Sequence, residues 1–162
     1  MKNVYLAGPD VFRENAVSYG KRMVKMCEDR RLNGLFPLDN TATTSSEIYL
    51  ANVELIKKSD AILANLDNFR GPECDSGTAW EVGFAIALGI PVYGYCIFPQ
   101  AEYKHYVHDP YPNQEYPIVE DFGNRFNLMI SESIIGPFHS FNSALNECAG
   151  DLHSKKDELE YR

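Results

Sequence analysis

The order of apolar runs in this chain predicts an α/β fold, a parallel five-stranded sheet with helices on both faces. Three observations carry that prediction. Short apolar runs alternate with stretches of helix formers along the first hundred residues, the pattern of successive strand–helix–strand crossovers. The run Ala61-Ile62-Leu63-Ala64-Asn65-Leu66 is apolar at nearly every position, as a strand covered on both faces is. The first run, 4–8, ends at Gly8-Pro9, a pair that turns the chain out of a strand. Open sheets of this kind bind ligands at the carboxyl ends of their strands, which points to the loops that begin near Gly8, Asp39, Leu66 and Ile97.

Residues 14–31 are rich in helix formers, with Val17, Met23, Val24 and Cys27 as the apolar stripe, and Asn33-Gly34 stops the helix. Residues 35–38 form the second strand. After a polar loop, Ser45 or Ser46 caps a helix over 47–58 with Ile48, Leu55 and Ile56 inward. The strand at 61–66 leads through Arg70, Gly71 and Pro72 to a helix over 75–89, and 91–97 is the fourth strand. Residues 98–125 break the pattern with many aromatic, proline and charged residues; a segment this long reads as a lid or a partner contact. Order resumes at 126–130, Ile134-Ile135 marks a last strand, and a helix runs from Ser140 to about Cys148. Residues 1–150 make one domain, and 151–162 a charged tail that frays.

Composition narrows the function. The 162 residues are 44% hydrophobic and 12% aromatic, enough for a core, and carry a net charge of −8. That charge argues against a nucleic-acid partner. No apolar stretch is long enough for a membrane span, and acidic and basic residues follow the first apolar run too soon for a signal peptide. Cys27, Cys74, Cys96 and Cys148 show no C-x-x-C or zinc spacing, which fits scattered reduced thiols and a cytoplasmic protein. His105, His108, His139 and His153 lack metal-ligand spacing, so no metal is expected. Neither G-x-G-x-x-G nor a P-loop occurs, which makes NAD and ATP poor cofactors.

The helix over 75–89 carries the chemistry. Glu81 shares a face with Phe84, Ala85 and Leu88, the side a helix turns toward a core. A carboxylate there bears a desolvation cost unless something uses it. Asp75, just ahead of the helix, is placed to cap free N–H groups. Two acids so arranged at a pocket mouth suit the cleavage of a glycosidic bond, with Glu81 as nucleophile kept ionised by the helix N-terminus. An acid that satisfies an internal partner would read the same way. Tyr5 lies near the carboxyl end of the first strand; if buried, its hydroxyl needs a partner, and Glu81 is one candidate.

Five segments in register identify a family. Tyr5-Leu6-Ala7-Gly8-Pro9, Pro37-Leu38-Asp39-Asn40, Asp60-Ala61-Ile62-Leu63-Ala64, Asp75-Ser76-Gly77-Thr78-Ala79-Trp80-Glu81-Val82-Gly83 and Phe126-Asn127-Leu128-Met129 together resemble the nucleoside 2-deoxyribosyltransferases over residues 3–148. The resemblance implies a flavodoxin-like sheet. It implies Glu81 as nucleophile, Tyr5 as the residue that orients it, and Asp75 as the acid that holds the deoxyribose hydroxyls. Asn127 matches an asparagine that a neighbouring subunit lends to the pocket, so a homo-oligomer with shared active sites is implied. Asn52 stands where some members carry an aspartate that contacts or protonates the base; an asparagine is a poor proton donor. Phe12 and Asp39 fall on loops where the family binds the base.

The implied partners are deoxynucleosides and free nucleobases, with no metal or organic cofactor. The implied reaction moves 2-deoxyribose from one base to another through a glycosyl–Glu81 ester, with retention. The nearest rival within the superfamily hydrolyses deoxynucleoside 5′-monophosphates. Asp10 in the first loop should repel a phosphate, which favours free nucleosides, although Arg13 and Arg125 could serve an anion. A non-catalytic nucleotide-binding protein is the more distant rival.

Overall fold

The computed structural model describes residues 1–38, 41–105 and 118–160. Five parallel strands, β1 (Lys2–Ala7), β2 (Leu32–Leu35), β3 (Ala61–Asn65), β4 (Val92–Tyr95) and β5 (Ile135–Phe138), lie in the order β2-β1-β3-β4-β5. The helices are α1 (Ala16–Glu28), α2 (Ser45–Lys57), α3 (Ser76–Ala87), the single turn α4 (Leu128–Ser131) and α5 (Phe141–Glu160). This is the doubly wound, flavodoxin-like arrangement, whose strand order reverses between β1 and β3.

Strand periodicity builds two cores and decides where Tyr5 points. Successive residues of a strand face opposite ways. Val4 and Leu6 therefore pack with Met23 and Cys27 of α1 and Leu145 and Cys148 of α5. Tyr5 and Ala7 pack with Ile56 of α2 and Val82 and Ala85 of α3. At the end of β1, Gly8 has φ 153°, and a Cβ there would stand 2.7 Å from the Cβ of Asn65. Only glycine lets the first loop leave so close to β3.

Several element boundaries differ from the sequence reading. The second strand lies at Leu32–Leu35, three residues earlier than expected, and Pro37 and Leu38 are turn. Arg31, with φ 59°, reverses the chain after α1; Gly34 instead sits inside β2, where a Cβ would press on Cys27 at 3.1 Å from its sulfur. Val17 is exposed rather than part of the α1 stripe, because Ala16, Gly20, Met23 and Cys27 form its buried face. Thr44, not Ser45 or Ser46, caps α2, in a capping box with Glu47. Ile48 is exposed, and Val53 and Ile56 are the residues that α2 buries. The last helix does not stop near Cys148. Leu152 extends the apolar stripe by one more turn into the core, and the Tyr93 hydroxyl donates to Asp151 at 2.7 Å, so α5 continues through the stretch read as a fraying tail. Between β4 and β5, the described part of the irregular segment holds only a short 3-10 turn, Tyr103–His105.

Candidate active site

The site begins with two elements that meet at the carboxyl end of the sheet. Asp75 starts α3: its Oδ2 accepts from the Thr78 backbone N–H at 2.9 Å and from the Thr78 hydroxyl at 3.0 Å. The buried face of α3 is Thr78, Val82 and Ala85. Glu81 therefore flanks that face rather than centring it, and Leu88, expected inward, is 46% exposed. The flank position sets Glu81 against β1, where the fully buried Tyr5 donates its hydroxyl to Glu81 Oε1 at 2.6 Å. Among the described residues nothing donates to Oε2.

A cavity of about 310 Å³ opens beside this carboxylate, lined by Tyr49 and Asn52 of α2 and by Gly77, Trp80 and Glu81 of α3. Aromatic contacts stiffen its wall. Trp80 stacks on Phe84 with ring centres 5.0 Å apart, and Tyr49 meets Trp80 edge-on at 5.6 Å.

Electrostatics at the pair has a definite sign. Burial pushes the Glu81 carboxyl up from the usual carboxylate range to about 7; the Tyr5 hydrogen bond pulls it down, and the negative charge of Asp75 pushes it up again. Desolvation thus outweighs the support from Tyr5. Burial and the neighbouring Glu81 raise the Tyr5 phenol well above its ordinary value, so it stays a donor. A carboxylate with a pKa near neutrality, one oxygen oriented by a hydrogen bond and the side chain lining a cavity, is competent as nucleophile or as acid–base group.

The structure brings together Tyr5, Glu81 and Asn52 of the sequence-derived residues, with Asp75 close enough to act on Glu81. It does not bring Phe12 or Asn127 into the cavity. The Phe12 ring stacks on Phe69 at 5.2 Å beneath the Arg70 guanidinium. Asn127 caps α4, accepting from the Met129 N–H at 3.0 Å and donating to Glu120. Asp39 lies outside the described residues. Tyr49 and Trp80 escaped the sequence reading. The signal was there: Tyr49 precedes Asn52 by three residues, hence on one helix face, and Trp80, the chain's one tryptophan, adjoins Glu81.

Asp10 is buried; Arg13 donates to its Oδ1 at 2.6 Å and Asn65 to its Oδ2 at 2.9 Å. Its charge is therefore matched inside the protein, and repulsion of a phosphate by Asp10 loses its force. Arg125, 6% exposed, donates to the Phe98 carbonyl and the Asn68 side chain. Burial pushes the Cys74 thiol up to about 11, assisted by Glu73 and Asp75, so it is not an activated nucleophile. Among the described residues no helix is long and apolar enough to cross a membrane, and no three His, Cys, Asp or Glu side chains converge on a metal site.

Residues 4–129 match the family model of the nucleoside 2-deoxyribosyltransferases. A solved 2-deoxyribosyltransferase from Leishmania mexicana superposes with a TM-score of 0.81 at 32% identity, over 93% of this chain and 98% of that one. The chain belongs to the nucleoside 2-deoxyribosyltransferase family. A second family structure, the 2-deoxyribosyltransferase of Bacillus psychrosaccharolyticus, shares the fold, with a TM-score of 0.57 at 22% identity over 89% of this chain and 90% of that one. An uncharacterized protein of Schizosaccharomyces pombe is 35% identical over 102 residues, 57% of this chain. The chain spans about half the length, 48%, of that curated relative.

Proposed function

We propose that this chain transfers 2-deoxyribose between nucleobases through a covalent ester on Glu81, with retention at the anomeric carbon. The observation that carries the reading is the Tyr5–Glu81 pair at the cavity, with Glu81 Oε1 held at 2.6 Å and Oε2 without a donor among the described residues. Family membership supports an enzyme that acts on N-glycosidic bonds.

In the proposed reaction Oε2 of ionised Glu81 attacks C1′ of the sugar, and the N-glycosidic electrons leave with the base. The departing base takes up one proton. The incoming base then attacks C1′ from the face the first base left, releases the carboxylate and gives up one proton. Two inversions give retention. Positive charge grows on the sugar ring in each transition state, and the carboxylate beside it provides stabilisation in a partly desolvated site. Tyr5 keeps one oxygen turned away from the sugar and opposes the desolvation of the ion. Asp75 spends Oδ2 on the helix cap and keeps Oδ1 for a sugar hydroxyl. Asn127, on a surface turn, serves the pocket of a neighbouring subunit, so the proposed active form is a homo-oligomer.

The test is base exchange. Deoxyinosine and adenine incubated with the protein should yield deoxyadenosine and hypoxanthine. Deoxyribose 5-phosphate released from a deoxynucleoside monophosphate, with no exchange in the first mixture, would make the protein a hydrolase instead.

A further inference from the structure

A second cavity, of about 290 Å³, opens at the opposite end of the sheet. It lies where α1 ends and β2 begins, at the amino ends of the strands, whereas Glu81 serves the carboxyl ends. Asp29, Arg30 and Arg31 form one side, and Gly150 and His153 of α5 form the other. Two of these residues are unfavourable for their own backbone. Arg31 has φ 59°, a left-handed conformation that suits glycine and costs a side chain. Gly150 interrupts the 20 residues of α5, where alanine favours a helix.

Internal packing explains neither choice. A Cβ at Gly150 would meet nothing within 4 Å. The Arg31 guanidinium has no hydrogen bond, ion pair or ring contact among the described residues. Arg70, the other arginine at positive φ, is by contrast held over the Phe12 and Phe69 rings. A strained backbone with no internal contact to offset it points to function, and here both costs fall on one cavity. The neighbours are arranged for an anion that carries hydroxyls. Arg30 is fixed: it donates to Asn146 at 2.7 Å, to Asn142 at 2.5 Å and to the Met26 carbonyl at 3.0 Å. His153 donates from Nε2 to the Arg30 carbonyl at 3.0 Å, which leaves Nδ1 for a ligand. Lys25 matches the Asp29 charge through Oδ1 at 2.9 Å, and Oδ2 accepts from no described residue.

We propose that this pocket binds a sugar phosphate, with the phosphate on Arg31, the fixed charge of Arg30 beside it, and a sugar hydroxyl on Asp29 Oδ2. A guanidinium matches phosphate oxygens with paired N–H groups, and a carboxylate oxygen accepts from a hydroxyl. Gly150, without a side chain, lets the ligand lie against the helix backbone. A free sugar phosphate and a nucleoside monophosphate both carry this group. No phenyl, phenol or indole ring of the described residues lines the cavity, so nothing there stacks on a base. The site is separate from Glu81 and from base exchange.

Calorimetric titration with deoxyribose 5-phosphate, deoxyadenosine monophosphate and inorganic phosphate tests the site. Both sugar phosphates should bind, and inorganic phosphate, which carries no sugar hydroxyl, should bind about tenfold more weakly. Arg31→Gly should weaken both sugar phosphates by about tenfold or more, which assigns the binding to this cavity. Gly150→Ala should weaken them by a smaller factor. The same substitutions should not harm the fold: the thermal midpoint of Gly150→Ala should rise by about 2–4 °C, and that of Arg31→Gly should not fall. Base exchange without added phosphate should be unchanged in both variants. Sugar phosphate affinity unmoved by Arg31→Gly, or inorganic phosphate bound as tightly as the sugar phosphates, would overturn the site. Binding of the monophosphate without binding of deoxyribose 5-phosphate would overturn it as well. Sugar phosphate binding that Arg31→Gly weakens, in a protein that exchanges no base, would keep this site and remove the transferase reading.

Discussion

Asp10, at the ends of β1 and β3, and Glu81, on α3 against Tyr5 of β1, are two acids withdrawn from solvent, and they have opposite fates. Asp10 is 2% exposed and saturated: Arg13 supplies charge, Asn65 supplies a second donor, and the contact ties the first loop to the end of β3. Among the described residues Glu81 has one donor, Tyr5, and no cation partner; Asp75 is a like-charged neighbour, and the Glu81 side chain lines a cavity. Burial alone therefore does not mark chemistry. A withdrawn carboxylate whose partners balance it is structural, and one left short of partners beside a void is poised to react.

Substitution at the two positions should separate these roles most sharply. Glu81→Gln should lower base exchange by at least ~10³-fold while the protein stays folded. It should also raise stability, because the amide needs no desolvated charge. The sign follows from the direction of the shift. Glu81 titrates near 7 in the folded state against 4.5 ordinarily, so its contribution is fully present below about 4.5 and is lost as pH rises through 7. The advantage of Glu81→Gln in chemical denaturation should grow over that window and level off above it, at a size on the order of 3 kcal/mol. Asp10→Ala should act the other way. Removing the acceptor of a charged and a neutral donor should destabilise the fold by roughly 2–3 kcal/mol, and the residual exchange should keep the pH profile of the unaltered protein.

Smaller effects test what tunes Glu81. Tyr5→Phe removes the donor that pulls its pKa down, so the acid limb of kcat/KM should move to higher pH and the rate should fall by about 10- to 100-fold. Asp75→Asn preserves a helix cap but removes the negative charge, so the same limb should move to lower pH, a displacement read from a pH–rate profile. Shifts in the same direction for both variants would contradict this balance of charge and hydrogen bonding around Glu81.

Much of this was legible in the sequence, and what was not had physical reasons. The strand–helix alternation and the all-apolar run at 61–66 specify the sheet, because only a strand covered on both faces is apolar throughout. Gly34 has the look of a helix stop, which puts the second strand three residues late in a reading of the sequence. It is glycine for packing against Cys27, while Arg31 makes the reversal through a positive φ that its residue type does not advertise. The end of α5 was missed because charge at 151–160 masked the buried Leu152. In the site, Glu81 stood out as an acid among apolar neighbours, and Tyr5 as its partner on an inward position. The aromatic wall of Tyr49 and Trp80 was not read, since it needs α2 and α3 side by side, a contact between segments about thirty residues apart that no local pattern encodes. The pairing of Asp10 with Asn65 is hidden for the same reason.

Mass spectrometry of the intact protein, incubated with a deoxynucleoside and no acceptor base, reads the proposed ester directly. The expected result is a gain of one deoxyribosyl group, mapped to Glu81, absent in Glu81→Gln and discharged when a free base is added. Exchange that proceeds while the protein mass stays unchanged, or an adduct on any other residue, would contradict covalent catalysis by Glu81.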